Sequence, residues 1–292
     1  MIKGRIIKAI AGFYYVHSED LLLTCKARGA FKKKGISPLV GDIVSVSRQG
    51  MHEGIIEAID PRKNEIIRPK IANIDQVALV FSLASPQTSL FQIDKMLAMT
   101  KWNQLPAIMV LTKIDLKTAK EYYHHLLSVY QPLGYTMLGI DSLHDHGIKE
   151  VKTALMDHQT VLSGESGVGK STLLKKLLPN SDAISGSVSE ATQRGKHTTT
   201  FVQLYPYEGG YLADTPGFSQ FDLYLEDLSA MQKLFVEIHE VGQTCLYRGC
   251  LHEREDGCEV RHAVEKQAIA ATRYENYLQL LKENKEWKAR RY

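Results

Sequence analysis

The sequence predicts a multidomain α/β protein in which a β-barrel precedes a nucleotide-binding α/β core and a helical module follows it. Three observations support this prediction. Residues 1–68 contain five short apolar runs, residues 69–222 alternate strand and helix patterns around a glycine-rich loop, and residues 223–292 join helical patterns to a cysteine cluster. A chain of 292 residues has room for two or three domains. We therefore predict boundaries near residues 68 and 222.

The five runs at the start of the chain predict β-strands, because they are rich in β-branched and aromatic residues and are separated by Gly, Pro and polar turns. They span residues 4–10, 13–17, 21–26, 42–46 and 54–59. Five such strands fit an OB-fold, a small barrel that often binds oligonucleotides. This segment carries 12 basic and 7 acidic side chains, whereas the whole chain has a net charge of only +3.

Basic residues concentrate on the third predicted strand and in the loop that follows it. They are Lys26, Arg28, Lys32, Lys33 and Lys34. A basic loop on a barrel is typical of proteins that contact the phosphate backbone of nucleic acids. The alternative is a solvated lysine-rich loop, and this segment taken alone favours that alternative.

The glycine-rich loop matches the phosphate-binding pattern G-x-x-x-x-G-K-[ST] at every defined position. Together with the residue that follows, it comprises Gly164, Glu165, Ser166, Gly167, Val168, Gly169, Lys170, Ser171 and Thr172. Glycines allow successive backbone N–H groups to point towards a phosphate chain. Lys170 would reach the β- and γ-phosphates, and the Ser171 hydroxyl would bind Mg²⁺. A strand pattern precedes this P-loop and a helical pattern follows it, so a chance glycine-rich turn is the weaker interpretation.

A second motif indicates which base the nucleotide carries. Thr112, Lys113, Ile114 and Asp115 follow a predicted buried strand at residues 107–111. They resemble the guanine-reading N-K-x-D motif of GTPases, with Thr112 in place of Asn. Asp115 can accept hydrogen bonds from two guanine donors that adenine lacks, while the Lys113 stem would cover the base. A hydroxyl replaces only part of what an Asn amide offers.

A third motif, D-x-x-G, begins at Asp214 and ends at Gly217. Asp214 would hold Mg²⁺ through water, and the Gly217 N–H would face the γ-phosphate. A threonine-rich loop at residues 194–200 is suited to supply Thr199 as a further Mg²⁺ ligand. Each segment alone also fits an ordinary turn or polar loop. The 50-residue step from Gly164 to Asp214 makes a joint coincidence improbable.

The cysteine cluster predicts a structural zinc site. Cys245, Cys250, His252 and Cys258 follow the pattern C-x4-C-x-H-x5-C, and three thiolates with one imidazole fill the tetrahedral shell of Zn²⁺. His239 and His262 flank the cluster, but the spacing favours His252. Reduced free thiols or a redox pair are the alternatives. The chain shows no signal peptide and no long apolar run, so we expect a cytoplasmic protein without a membrane partner.

The order of these motifs resembles that of the circularly permuted GTPases, because the base-reading motif precedes the P-loop and Asp214 follows it. With the N-terminal barrel and the C-terminal Cys₃His pattern, the whole chain is similar to the bacterial RsgA (YjeQ/YloQ) family. The resemblance implies a monomeric GTPase that binds GTP and GDP with Mg²⁺, carries one structural zinc ion, and acts in late maturation of the 30S subunit. It implies 16S rRNA and other 30S assembly factors as partners.

The residue that positions the attacking water is less evident. Phe218 follows Gly217, where Ras-like GTPases place a glutamine. His197 in the threonine-rich loop is our candidate, and Gln220 is another. The missing glutamine predicts a weak intrinsic activity, which the resemblance implies is raised by the 30S subunit. Two other classes stay open: a P-loop ATPase or kinase, and an RNA-binding assembly module in which the nucleotide is only structural.

Overall fold

The computed structural model describes residues 1–19, 21–33, 35–67, 69–179, 202–214 and 223–291. The chain divides into two compact units. Unit 1 comprises Met1–Val80 and Ser142–Ser219, and unit 2 comprises Phe81–Asp141 and Gln220–Tyr292. Each unit therefore combines a flanking module with part of the α/β core.

The N-terminal segment of unit 1 is a closed five-stranded barrel. Its elements are β1 (Ile2–Ile10), β2 (Phe13–Ser18), β3 (Leu21–Ala27), α1 (Gly29–Lys33), β4 (Ile43–Arg48) and β5 (Glu53–Ile59). Strand β1 pairs with β2 and β4, β2 pairs with β3, β4 pairs with β5, and the parallel pair β3–β5 closes the ring. Alternate side chains, including those of Ile6, Val16, Leu23 and Val44, are fully buried. All five predicted strands are present.

The remaining elements alternate strand and helix before a helical C-terminal segment. They are β6 (Glu65–Ile66), β7 (Ile71–Ala72), β8 (Gln76–Ser82), α2 (Leu90–Trp102), β9 (Ala107–Thr112), α3 (Ala119–Tyr130), β10 (Thr136–Ile140), α4 (Ile148–Leu155), β11 (Gln159–Ser163), α5 (Lys170–Leu177), β12 (Gln203–Tyr207), β13 (Gly210–Asp214), a 3₁₀ helix (Leu228–Leu234), α6 (Val236–Gly242), α7 (Glu259–Glu265) and α8 (Ala271–Ala289). Strands β8 to β13 provide the strands of the alternation predicted for residues 69–222, including the predicted strand at residues 107–111 and the strand before the P-loop. The β6–β7 hairpin and α4 were not predicted.

In unit 1, β11 lies between two parallel neighbours, β8 and β13. Every residue of β8 and β11 is buried, as expected for strands covered on both faces. Strand β12 forms an antiparallel hairpin with β13 and also pairs with β1 of the barrel. The barrel and the P-loop strand therefore belong to one hydrogen-bonded arrangement.

In unit 2, β9 and β10 pair in parallel, and the helical C-terminal segment has its own apolar cluster. Helix α8 buries residues at positions 273, 277, 280, 281 and 284, a spacing that forms one helical stripe. Tyr277 packs edge-to-face against Phe235, with ring centroids 5.5 Å apart. Among the described helices, none is both long enough and apolar enough to cross a membrane.

Candidate nucleotide-binding and metal-binding sites

The P-loop begins at the carboxyl end of β11 and closes against the neighbouring strand. A Cβ atom on Gly164 would lie 2.4 Å from the carbonyl oxygen of Val80, which excludes any larger residue. Gly167 and Gly169 adopt positive φ angles of 81° and 105°. Only glycine takes these angles at little cost, so the sequence pattern and the backbone geometry agree.

Helix α5 starts at Lys170, directly after Gly169, so its free N–H groups face the loop. The Lys170 ammonium donates to the carbonyl oxygens of Gly164 at 2.7 Å and Glu165 at 2.6 Å. It therefore lies across the mouth of its own loop, where phosphate oxygens can replace the two carbonyls as acceptors. Ser171 and Thr172 are exposed on the first turn of the helix.

The start of the D-x-x-G motif lies beside the P-loop strand. Asp214 ends β13, and its backbone is the parallel register partner of Leu162 on β11. Both strands therefore end at the same edge of the sheet, where α/β proteins bind their ligands. The Asp214 side chain lies outside the described part of the structure, as do Gly217, Thr199 and His197.

The base-reading motif lies at the end of β9 in unit 2. Thr112 is buried, and its hydroxyl donates to the Phe81 carbonyl at 3.3 Å. Lys113 has a positive φ of 63°, and its ammonium donates to the Ser85 carbonyl at 2.7 Å. The turn leaves Asp115 exposed to solvent. Thr112 therefore fixes the strand end, and Asp115 is free to meet a ligand.

The predicted zinc ligands lie together in unit 2. One ligand atom from each of Cys245, Cys250, His252 and Cys258 lies within 4.8 Å of all the others. The Cys258 sulfur is 3.9 Å from the sulfur of Cys245 and 3.8 Å from that of Cys250. Sulfur atoms about 3.8 Å apart are expected around a tetrahedral ion with metal–sulfur bonds of about 2.3 Å. The donor set therefore fits a structural metal ion.

Further contacts orient this cluster from outside. His252 turns Nδ1 towards the Cys258 sulfur at 3.4 Å and holds Nε2 3.3 Å from the Gln232 side-chain oxygen. The Tyr274 hydroxyl donates to the His252 carbonyl at 2.6 Å. Such outer contacts fix the tautomer and direction of a ligating imidazole. The structure therefore brings His252, rather than His239 or His262, among the thiols.

Burial raises the pKa of the Cys250 thiol to about 12. A thiol in that environment is protonated at neutral pH unless a cation stabilises its thiolate. Cys25 is also buried, but it lies in the barrel as a core residue. Only a bound cation would therefore hold Cys250 as a thiolate at neutral pH, and Cys25 is not part of the four-residue cluster.

The basic residues predicted to contact RNA are only partly described. Lys26 is exposed on β3, and its ammonium lies 5.2 Å from the centroid of the Phe13 ring. Arg28 forms a 2.6 Å ion pair with Glu57. The side chains of Lys32 and Lys33, and the whole of Lys34, lie outside the described residues.

A buried ion cluster in unit 2 was missed by the sequence analysis. Arg273 on α8 donates to Asp94 on α2 at 2.6 Å and to both carboxylate oxygens of Glu237 on α6. Tyr130 and Asn276 donate to the two Asp94 oxygens at 2.7 Å. Asp94 stands within a helix face of buried apolar residues, and this is the signal that could have revealed it. A carboxylate on such a face needs a buried partner.

Two family models match about three quarters of the chain between them. The model described as RsgA N-terminal domain matches residues 3–56, and the model described as RsgA GTPase matches residues 59–224. The chain belongs to the RsgA GTPase family. Membership confirms the resemblance proposed from the motif order and makes the chain a GTP-hydrolysing enzyme.

Curated relatives and solved structures extend the RsgA match to the full length. Two curated relatives carry the name small ribosomal subunit biogenesis GTPase RsgA. The Caldanaerobacter subterraneus protein is 40% identical to this chain, and the match covers 100% of this chain and 98% of the relative. The Geobacillus thermodenitrificans protein is also 40% identical, and the match covers 99% of this chain and 100% of the relative. YjeQ from Thermotoga maritima is 31% identical with a TM-score of 0.84, covering 97% of this chain and 98% of YjeQ. YloQ, a circularly permuted GTPase, is 33% identical with a TM-score of 0.80, covering 98% of this chain and 96% of YloQ. The predicted fold class is thereby confirmed.

Proposed function

We propose that this chain hydrolyses GTP to GDP and phosphate in the biogenesis of the small ribosomal subunit, and that the subunit accelerates the reaction. The observation that carries the proposal is the full-length similarity to curated relatives with that named role, which includes both flanking modules. The P-loop and the start of the D-x-x-G motif on adjacent strands support the chemistry. An acceleration by the subunit is consistent with Phe218, where a water-orienting glutamine is expected.

In this proposal the P-loop N–H groups surround the β-phosphate, and Lys170 exchanges its two carbonyl acceptors for phosphate oxygens. Charge-assisted bonds of this kind are stronger than the neutral ones they replace. Ser171, Asp214 and Thr199 are the residues we assign to Mg²⁺, which neutralises the charge that develops on the phosphates. His197 is our candidate for orienting the attacking water.

We assign guanine recognition to Asp115, whose exposed carboxylate accepts from both guanine donors. Thr112 keeps a structural role, because its hydroxyl is directed to the Phe81 carbonyl. In this proposal Thr112 takes over the positioning role of the Asn that usually stands here. It does not take over the contact that this Asn makes with the base. Lys113 covers the base through its aliphatic stem.

We assign Zn²⁺ to Cys245, Cys250, His252 and Cys258. Three thiolates and one imidazole at tetrahedral distances favour zinc over harder ions and leave no position open for substrate. The ion would hold the loop from Thr244 to Cys258 against α8. The hydroxyls of Tyr274 and Tyr277 on that helix already donate hydrogen bonds to backbone carbonyls of the loop. Its role is therefore structural.

The barrel is our proposed contact with 16S rRNA, through Lys26, Arg28, Lys32, Lys33 and Lys34. Lys26 is exposed, and its ammonium lies over the exposed Phe13 ring, which suits a phosphate contact next to an unpaired base. We further propose a monomer with three functional modules at residues 1–68, 69–222 and 223–292. We also propose other 30S assembly factors as partners, which would contact the same barrel surface.

Lys170→Ala tests the nucleotide assignment, with Lys175→Ala as its matched control. Both lysines lie on α5, but Lys175 is exposed and outside the P-loop motif. We expect Lys170→Ala to lower kcat at least about 100-fold and Lys175→Ala to leave it within about twofold. Equal turnover of the two variants would remove the P-loop assignment.

Asp115→Asn tests base choice and separates a GTPase from a P-loop ATPase or kinase. An amide donates where the carboxylate only accepts, so the variant should lose GTP affinity and gain affinity for xanthosine triphosphate. Titrations of GTP, ATP and xanthosine triphosphate measure the change. ATP binding as tight as GTP binding in the wild type would favour the ATPase alternative.

A further inference from the structure

The first strand of the barrel continues into the sheet that carries two nucleotide motifs. Lys8 on β1 is the register partner of Gln203 on β12, and Gln203 is the register partner of Asp214 on β13. Asp214 in turn pairs with Leu162 on the P-loop strand β11. All of these strands belong to unit 1. A displacement of β1 therefore also displaces β12, the strand next to the two strands that end in the nucleotide motifs.

Side chains of the barrel also hold the opposite ends of β11 and β13. Gln159 and Tyr211 are register partners at the starts of these strands. The Arg5 guanidinium donates to the Gln159 side-chain oxygen and lies 5.1 Å from the centroid of the Tyr211 ring. His17 on β2 places Nδ1 3.0 Å from the Tyr211 hydroxyl. Arg5 thus contacts both strands that end in nucleotide motifs.

The surroundings of Gln159 leave it little freedom. The residue is 2% exposed, its side-chain amide donates to the Ala72 carbonyl at 2.7 Å, and its backbone N–H donates to Asp75 at 2.7 Å. A Cβ atom on Gly41 would lie 2.1 Å from the Ala72 carbonyl oxygen and 2.8 Å from the Gln159 amide nitrogen. Close-packed groups move together, so a shift of Arg5 is passed to β11 rather than absorbed.

We propose that Arg5 is a positioning residue through which the barrel sets the P-loop strand and Asp214 for hydrolysis. The inference rests on the proposed function, since the barrel is the proposed RNA contact. Apart from the buried Ile6, the residues of barrel strand β1 are exposed or half-buried, so RNA can act on the strand that carries Arg5. Strand β11 spans 5 residues from Gln159 to the P-loop, and a strand this short and fully buried moves as one piece.

The test is the ratio of GTP turnover at saturating small ribosomal subunits to turnover of the chain alone. Coupling between sites is typically worth about 5- to 150-fold, so Arg5→Met should lower this stimulation ratio at least about fivefold. Arg48→Met is the matched control, because Arg48 lies on the same barrel and bonds only carbonyls of its own hairpin, Gly50 and Met51, among the hydrogen bonds described. It should keep the ratio within about twofold. Saturating subunits remove any effect of altered affinity.

Two milder variants keep the test decisive if Arg5→Met does not fold. Arg5→Lys keeps the charge but loses the planar fork, and Tyr211→Phe keeps the ring and loses only the hydroxyl near His17. Each should lower the stimulation ratio about two- to threefold without changing the KM for GTP. Stimulation ratios equal to that of the wild type in all folded variants would overturn this inference but would leave the proposed function intact. A wild-type chain that subunits do not stimulate would instead contradict the proposed function.

Discussion

The two flanking modules are joined to their parts of the core by arginines in very different surroundings. In unit 1, Arg5 is half-buried, and its hydrogen-bond acceptors among the described residues are neutral: the carbonyl of Gly41 and the side-chain amide of Gln159. In unit 2, Arg273 is 1% exposed and meets two carboxylates, Asp94 and Glu237. Arg273 also lies 4.6 Å from the centroid of the Phe235 ring. A buried pair of carboxylates depends on its cation far more than neutral acceptors do.

This difference in surroundings indicates how easily each junction can move. The Arg273 cluster fixes α2, α6 and α8 in one arrangement, because any separation leaves charges buried without partners. Desolvation raises the pKa of the Asp94 carboxyl, and the contacts to Arg273, Tyr130 and Asn276 oppose that rise. Movement at the Arg5 junction leaves no buried carboxylate unpaired, so Arg5 and Gln159 can shift together at a lower cost. A rigid junction therefore supports the metal module, and an adjustable one supports the barrel.

Loss of a metal ligand should have the largest effect and should be confined to unit 2. Cys258→Ser removes a thiolate from the four-residue cluster, and structural zinc contributes an apparent free energy of about 10–16 kcal/mol in small zinc modules. We expect loss of the metal and of hydrogen-exchange protection in residues 223–291, while β11 stays protected. Elemental analysis measures the metal content, and mass spectrometry measures the hydrogen-exchange protection.

Cys25→Ser is the control for this change, because Cys25 is equally a buried cysteine but lies in the barrel. It should leave the metal content unchanged. Stoichiometric metal in Cys258→Ser, or equal loss of protection in β11, would contradict the separation between the two units.

Loss of the buried cation should have the next largest effect. Arg273→Met leaves the Asp94 and Glu237 carboxylates without their partner, and such changes cost about 3–5 kcal/mol. Denaturant unfolding measures the free energy. Arg290→Met is the control, because the Arg290 side chain is 80% exposed and its 3.8 Å pair with Glu286 is worth at most about 0.5 kcal/mol. A difference below about 1 kcal/mol between the two variants would deny the ion cluster its structural role.

Loss of the barrel arginine should destabilise the chain least. Arg5→Met leaves the Gln159 side-chain oxygen without this donor, whereas Gly41 retains its bond from the Asn73 amide at 3.0 Å. We expect a cost of about 1–2 kcal/mol in the same denaturant experiment. A cost as large as that of Arg273→Met would mean that the two junctions are equally rigid.

The sequence predicted the parts of this molecule whose residues lie close together along the chain. The P-loop pattern within residues 164–171 fixes its own backbone, and the Cys₃His pattern spans residues 245–258. The barrel strands were predicted by their β-branched and aromatic residues between Gly, Pro and polar turns, and the family resemblance joined these pieces. Helix α4 was missed although Ile148, Val151 and Leu155 form an apolar stripe, because only these three of its residues are buried.

The junctions could not be predicted, because their partners are far apart in sequence. Arg5 and Gln159 are separated by 154 positions, and Arg273 and Asp94 by 179. Local patterns indicate that Asp94 needs a partner but not which residue supplies it. The pairing of β1 with β12 likewise depends on tertiary packing, so the boundary predicted near residue 68 stays a proposal about functional modules.

Multiple-turnover GTP hydrolysis with purified 30S subunits tests the central claim most directly, with 50S subunits as the matched RNA-rich control. If the chain is a small-subunit GTPase, 30S subunits should raise kcat at least about tenfold, and 50S subunits should leave it within about twofold. Added salt should reduce the effect at subsaturating 30S, because phosphate contacts weaken with ionic strength. Equal turnover with 30S subunits, with 50S subunits and with neither would contradict the account.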